Sequence, residues 1–222
     1  MPMRTTPTPI STMPTLDESV ATIAARLLAL KPGPLAALRR MDPDGGAGTP
    51  EFWRLAADLD LPQERAGTWM RIVRIMAILS DKGAPGTRKT LHDRRRPLGA
   101  ALADGGDREW KPPPGDEPYP VLSEARLTRF LALPAGRRAE ALERIARALA
   151  ANRRSGHGLD CRDIAALLLD PDDPGPIRKL ARAYYNRLDG VRRRAADDGG
   201  TDGGTDGEPD RNDNDKNEEG AA

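Results

Sequence analysis

Three stretches of the sequence carry residue types that can do chemistry. Gly83-Ala-Pro-Gly-Thr-Arg-Lys-Thr90 sets Gly83, Lys89 and Thr90 at the spacing of a phosphate-binding P-loop. Arg88 stands where that loop needs glycine, and the stretch follows a helical pattern instead of a strand, which argues against nucleotide binding. His92-Asp93 is a metal-ligand type of pair, but metal-dependent hydrolysis needs further ligands, and the one other histidine is His157 in a Gly-flanked loop. Cys161 follows Asp160 with no base at hand beyond His157, so it reads as a buried thiol and not a nucleophile. No cofactor, metal or catalytic residue is expected, and the chain reads as a non-enzyme.

The arginines point elsewhere. Arg39 and Arg40 end one helical segment, and Arg88, Lys89, Arg94, Arg95 and Arg96 crowd one loop. Arg137, Arg144 and Arg147 share one helix stripe, opposite Leu142, Ile145 and Leu149. Arg178, Lys179 and Arg182 line the last helix, which Arg192–Arg194 close. A planar guanidinium donates two hydrogen bonds to one phosphate, so several such clusters on one body suit a polyanionic partner. Glu140, Glu143 and Asp189 are the carboxylates that could neutralise some of them. The three tryptophans and Phe130 fall at core spacing, so backbone contact is expected over base stacking.

Charge is unevenly placed along the chain. Ala196–Ala222 holds ten acidic and two basic residues, which leaves 33 basic and 24 acidic ones in Met1–Ala195, a net of +9. A cationic body attracts nucleic acid because phosphate neutralisation releases condensed counterions. The single cysteine excludes an intrachain disulfide and fits a reducing cytoplasm. No apolar run is long enough to span a membrane, and Met1–Thr15 lacks the apolar stretch of a signal peptide.

The elements that must position these residues are helical almost throughout. Met1–Thr15 and Ala195–Ala222 read as disordered, being too poor in apolar residues to offset the entropy of ordering. Between them, apolar residues recur at helical spacing: Val20, Ile23, Leu27; Leu35, Leu38; Phe52, Trp53, Leu55, Ala56, Leu59 after a Thr49 cap; and Trp69 to Leu79 in a central helix. A short segment around Leu98 and Leu102 follows, then a break from Asp104 to Pro120 dense in glycine and proline. Ser123 and Asp160 offer caps for later helices, another runs from Arg137 to Asn152, and Pro176 opens the last. The expectation is an all-α bundle of eight or nine helices over residues 16–194. Two lobes, 16–103 and 121–194, are possible on either side of the Pro/Gly-rich loop.

The order of these segments resembles the small subunit (CasB family) of the subtype I-E CRISPR surveillance complex, Cascade. Gly33-Pro-Leu-Ala-Ala-Leu-Arg-Arg-Met41 is similar to its early helix with paired basic residues, and Phe52-Trp53-Arg54-Leu55 to its aromatic-aromatic-Arg-Leu segment. Pro97-Leu-Gly-Ala-Ala-Leu-Ala103 resembles its Leu-Gly-x-Ala-Leu-Ala stretch, Ser123-Glu-Ala-Arg-Leu127 its Glu-x-Arg helix start, and Leu180-Ala-Arg-Ala-Tyr-Tyr185 its closing Ala-Arg-x-Tyr-Tyr. The likeness spans about Leu16 to Val191. The acidic segment and the insertion at Gly105–Pro120 lie outside the family's pattern.

The resemblance implies a helical protein without enzymatic activity, present as two copies that contact each other, the crRNA-bound backbone subunits and the large subunit. It implies a basic face that guides the displaced non-target DNA strand and stabilises the R-loop. The family's basic positions fall on Arg40, on Arg65 or Arg71, on Arg137 and Arg144, and on Arg178, Lys179 and Arg182. With Arg39 and Arg147 from the clusters, these are the candidate nucleic-acid contacts. Two other readings remain at this point: a sequence-specific regulator using Asp160–Leu169 and Gly175–Leu188 as a helix-turn-helix, and a structural helical protein with an ordinary charged surface.

Overall fold

Helical spacing becomes nine α-helices in the computed structural model, which describes residues 14–112, 116–153 and 157–199. They are α1 (Leu16–Ala29), α2 (Pro32–Arg40), α3 (Pro50–Asp58), α4 (Ala66–Leu79), α5 (Leu98–Asp104), α6 (Glu124–Leu131), α7 (Ala135–Asn152), α8 (Cys161–Leu169) and α9 (Pro174–Gly199). Among the described residues the one extended pairing is an isolated bridge between His92 and Leu159. The all-α bundle read from the sequence is the architecture that forms. No helix among the described residues is long and apolar enough to cross a membrane.

Several helix starts follow from their capping residues. Thr15 and Glu18 close a reciprocal capping box on α1. The Thr49 hydroxyl accepts the Phe52 amide at 3.3 Å, and Asp160 accepts that of Arg162 at 3.1 Å. Ser123 occupies the cap position of α6 without making the side-chain bond. α9 begins at Pro174, two residues before Pro176, because Asp173 takes the Gly175 amide at 2.8 Å and extends the first turn backward. At its other end α9 runs on through Ala195–Gly199, which the apolar pattern left outside the domain. Met1–Met13 and residues 200–222 lie outside the described residues.

α4 is the central element: it buries Trp69, Met70, Ile72, Val73, Ile75, Met76, Ala77 and Leu79 and packs against α1, α2, α7 and α8. Each large side chain so buried stabilises the fold by roughly 1.5–3 kcal/mol relative to exposure. One hydrophobic cluster extends from Val20 to Leu188, on both sides of the proline-rich loop. Its tightest junction is α5 against α9. A Cβ on Gly99 would lie 2.1 Å from the Leu180 carbonyl oxygen, so glycine lets the two backbones meet. Two of the stretches singled out in the sequence, Leu98–Ala103 and Leu180–Tyr185, thus pack on each other. Tyr184 is fully buried there, and its hydroxyl donates to the Leu122 carbonyl.

Trp53 departs from its expected place. It is 42% exposed, its ring meets Phe52 edge-on, and its indole N–H donates to the Ala47 carbonyl at 2.8 Å. Phe52, one position earlier on a helix, takes the inward direction instead.

Candidate nucleic-acid interface

Many arginines of the sequence clusters hold the fold together. Arg39 caps the end of α4, donating to the carbonyls of Ala77 (2.8 Å), Ser80 (2.9 Å) and Asp81 (3.3 Å), and burial together with nearby Arg88 lowers its pKa. Arg88 is buried against the orphan carbonyls ending α1, reaching Leu30 at 2.5 Å and Leu27 at 3.2 Å. Arg96 is buried beside Asp104 at 2.5 Å, and Arg187 reaches the other oxygen of that carboxylate at 2.6 Å. Arg94 pairs with Asp17. The basic loop is therefore largely an internal clamp, from which Lys89 and Arg95 stand exposed with no side-chain partner among the described residues.

The candidate contacts divide in the same way. Arg71 binds Asp44 at 2.5 Å, and Lys179 binds Asp163 at 2.6 Å with Asp160 at 3.9 Å. Arg147 shares Glu143 with Arg74, at 2.7 and 3.2 Å. Arg65 is exposed at the start of α4 and reaches the Leu169 carbonyl only at 3.5 Å. Arg40, Arg137, Arg178 and Arg182 are exposed with no partner among the described residues. Arg144 is 71% exposed and stands 3.9 Å from Glu140, a solvent-screened pair that contributes little.

Two further arginines, Arg126 and Arg129 on α6, are exposed, have no partner among the described residues and are absent from the sequence clusters. With Arg144 of α7 they rim an open groove of about 370 Å³ floored by Phe130, Leu133 and Ile145. Their spacing (i, i+3) on a helix whose one carboxylate is Glu124 was the available signal. That carboxylate is engaged by Arg192 of α9 at 2.6 Å.

Contacts run outward from the groove in both directions. Toward α2, Glu143 holds Arg74, whose Nε donates to the Arg39 carbonyl at 3.3 Å, next to exposed Arg40. Toward α9, the Arg192–Glu124 pair leads to Arg193 and Arg194, both exposed. Arg178, Arg182, Arg192 and Arg193 fall within an arc of about 100° on α9, spread over about 22 Å of its length. Buried and half-buried pairs thus join α7 to α4 and α2, and α6 to α9, beside exposed arginines on α2, α6, α7 and α9.

Exposed arginines can neutralise a phosphate backbone and offer little to read bases. The exposed large aromatics, Trp53 and Tyr119, are not among the groove's lining residues. The other chemistries have no support in the geometry of their residues. Cys161 is fully buried, and burial pushes its thiol far up, so no thiolate forms. The His92 Nδ1 accepts the Cys161 amide at 3.3 Å, while Asp93 binds Arg108 at 2.6 Å, so the pair does not converge. No group of three or more His, Cys, Asp or Glu among the described residues is placed to hold a metal ion. The Gly83–Thr90 stretch forms a short 3-10 turn at Pro85–Thr87, with Arg88 turned inward as the α1 cap.

No protein-family model, curated protein or solved structure matches this chain.

Proposed function

We propose that this chain is a non-catalytic nucleic-acid-binding subunit, the small subunit of a subtype I-E CRISPR surveillance complex. It acts there as a homodimer in contact with the backbone and large subunits and with the crRNA. The observation that carries the reading is the set of exposed arginines with no partner among the described residues, Arg126 and Arg129 at the α6/α7 groove and Arg178 and Arg182 on α9, on a helical body with a net positive charge. The order of sequence segments supplies the particular complex. R-loop formation is a near-balanced exchange of duplexes, so a few phosphate contacts to the displaced non-target strand shift it appreciably.

The test is R-loop formation by the complex assembled with wild-type chain or with Arg126→Glu/Arg144→Glu. Stable target binding is expected to weaken by tenfold or more while assembly is retained; undiminished binding rejects the proposal. Lys179→Glu is unsuited to this purpose, because it would place a third carboxylate beside Asp160 and Asp163 and threaten the fold. The helix-turn-helix alternative predicts protection of one defined operator, whereas backbone contact predicts no preferred sequence.

A further inference from the structure

Residues 200–222 carry eight carboxylates against Arg211 and Lys216, a net of −6. The last helix, which carries Arg178, Arg182, Arg193 and Arg194, leads to them. Arg192 grips Glu124, the first residue of α6, two positions before Arg126 and five before Arg129. From Arg192 to Gly199 is about 10 Å of helix. The groove is thus within reach of residues 200–222 of the same chain.

We propose that residues 200–222 occupy the arginine-rimmed α6/α7 groove in cis, as a carboxylate competitor for phosphate. This rests on the nucleic-acid reading above and adds a regulation of the same site. Arg126 and Arg129 have no carboxylate of their own among the described residues. Carboxylate and phosphate both suit the two-pronged guanidinium donor, so one rim serves either. Reach does not limit the contact, because 23 residues can span at most about 75 Å and the groove lies much closer. A tethered segment acts at an effective concentration on the order of millimolar, so an intrinsically weak ionic contact is well populated. Apart from Pro209 and two alanines the segment has no apolar side chain to lay on Phe130 and Ile145, so its hold is ionic and yields to salt.

Displacing carboxylates from the rim releases fewer small ions than stripping counterions from it would. The salt dependence of DNA binding is therefore shallower with the segment's charges than without them.

The test compares the full chain with a full-length variant in which those eight carboxylates are exchanged for amides. Binding of a fluorescent 30-nucleotide oligothymidylate is followed by anisotropy at 50 and 300 mM salt. If the segment covers the rim about nine-tenths of the time, the amide variant binds about tenfold tighter at low salt. The gain shrinks to less than about threefold at high salt. The same exchange made in an Arg126→Ala/Arg129→Ala background yields less than twofold, because the rim it covered is gone.

Equal affinities of the two full-length chains, with binding itself intact, overturn the inference and leave the nucleic-acid reading standing. A gain that persists in the Arg→Ala background overturns it too, since only general charge is then at work. A masking that grows with protein concentration assigns the carboxylates to a second copy and rejects the cis contact. Failure of every chain to bind at 50 mM salt rejects the nucleic-acid reading and this inference together.

Discussion

Replacing Asp104 with alanine strikes the junction on which the two halves of the chain meet. The Asp104 carboxylate is about 1% exposed and serves Arg96 at 2.5 Å, Arg187 at 2.6 Å and the Gly106 amide at 2.9 Å. Arg96 and Arg187 have side chains only 6% and 16% exposed, so neither can turn to water without moving backbone. Removing one partner of a buried ion pair costs about 3–5 kcal/mol, because the remaining charge stays buried and uncompensated. Here Arg96 is left facing a small void while Arg187 keeps the Asp107 and Arg108 carbonyls at 2.9 Å, which places the expected loss within that range. Against a total stability of about 5–15 kcal/mol, a large part of the folded margin disappears. Urea unfolding followed by circular dichroism reads the loss as a drop in midpoint at unchanged slope. Asp104→Asn, which keeps the shape and some hydrogen bonds, falls between wild type and alanine. A loss under 1 kcal/mol for Asp104→Ala refutes the reasoning.

Gly99→Ala is expected to cost about 1–3 kcal/mol or more through overpacking, since its Cβ would meet the Leu180 carbonyl at 2.1 Å; a melting temperature within a degree of wild type contradicts the α5/α9 contact. Burial holds the His92 pKa below its ordinary value, against the pull of Asp160, so the folded state favours neutral imidazole. Stability should therefore decline as pH falls below about 6.5, and His92→Gln should flatten that decline in urea midpoints taken between pH 7.5 and 5.5. Cys161 should resist a water-soluble disulfide reagent in the native protein and react fully in denaturant; rapid native reaction contradicts its burial.

Helix identity was legible because burial imposes a period of 3.6, and Thr49 and Asp160 announced their caps through hydroxyl and carboxylate chemistry. The functional division of the arginines was not. A guanidinium at a helix end serves a phosphate or an orphan carbonyl equally well, and only tertiary packing assigns Arg39 and Arg88 to carbonyls. Arg96 and Asp104, a loop base and a helix-ending acid in the sequence, became one buried pair eight residues apart. Arg126 stood in the sequence only as part of a helix start and Arg129 in no cluster, because a pair at i, i+3 on a short helix shows its exposed face only once the helix is packed. Hydrophobicity points Trp53 inward, but α3 packs at the surface and buries only a narrow face, which Phe52 and Leu55 fill.

The salt dependence of DNA binding by the chain with and without its groove arginines tests phosphate binding by the groove most directly. Each phosphate contact to a single strand contributes about −0.7 to the slope of log affinity against log salt concentration. Arg126→Ala/Arg129→Ala/Arg144→Ala should reduce the steepness of that slope by about 2 and weaken binding at low salt, with the circular dichroism spectrum unchanged. A folded triple variant that keeps the wild-type slope and affinity contradicts the claim that this groove binds phosphate.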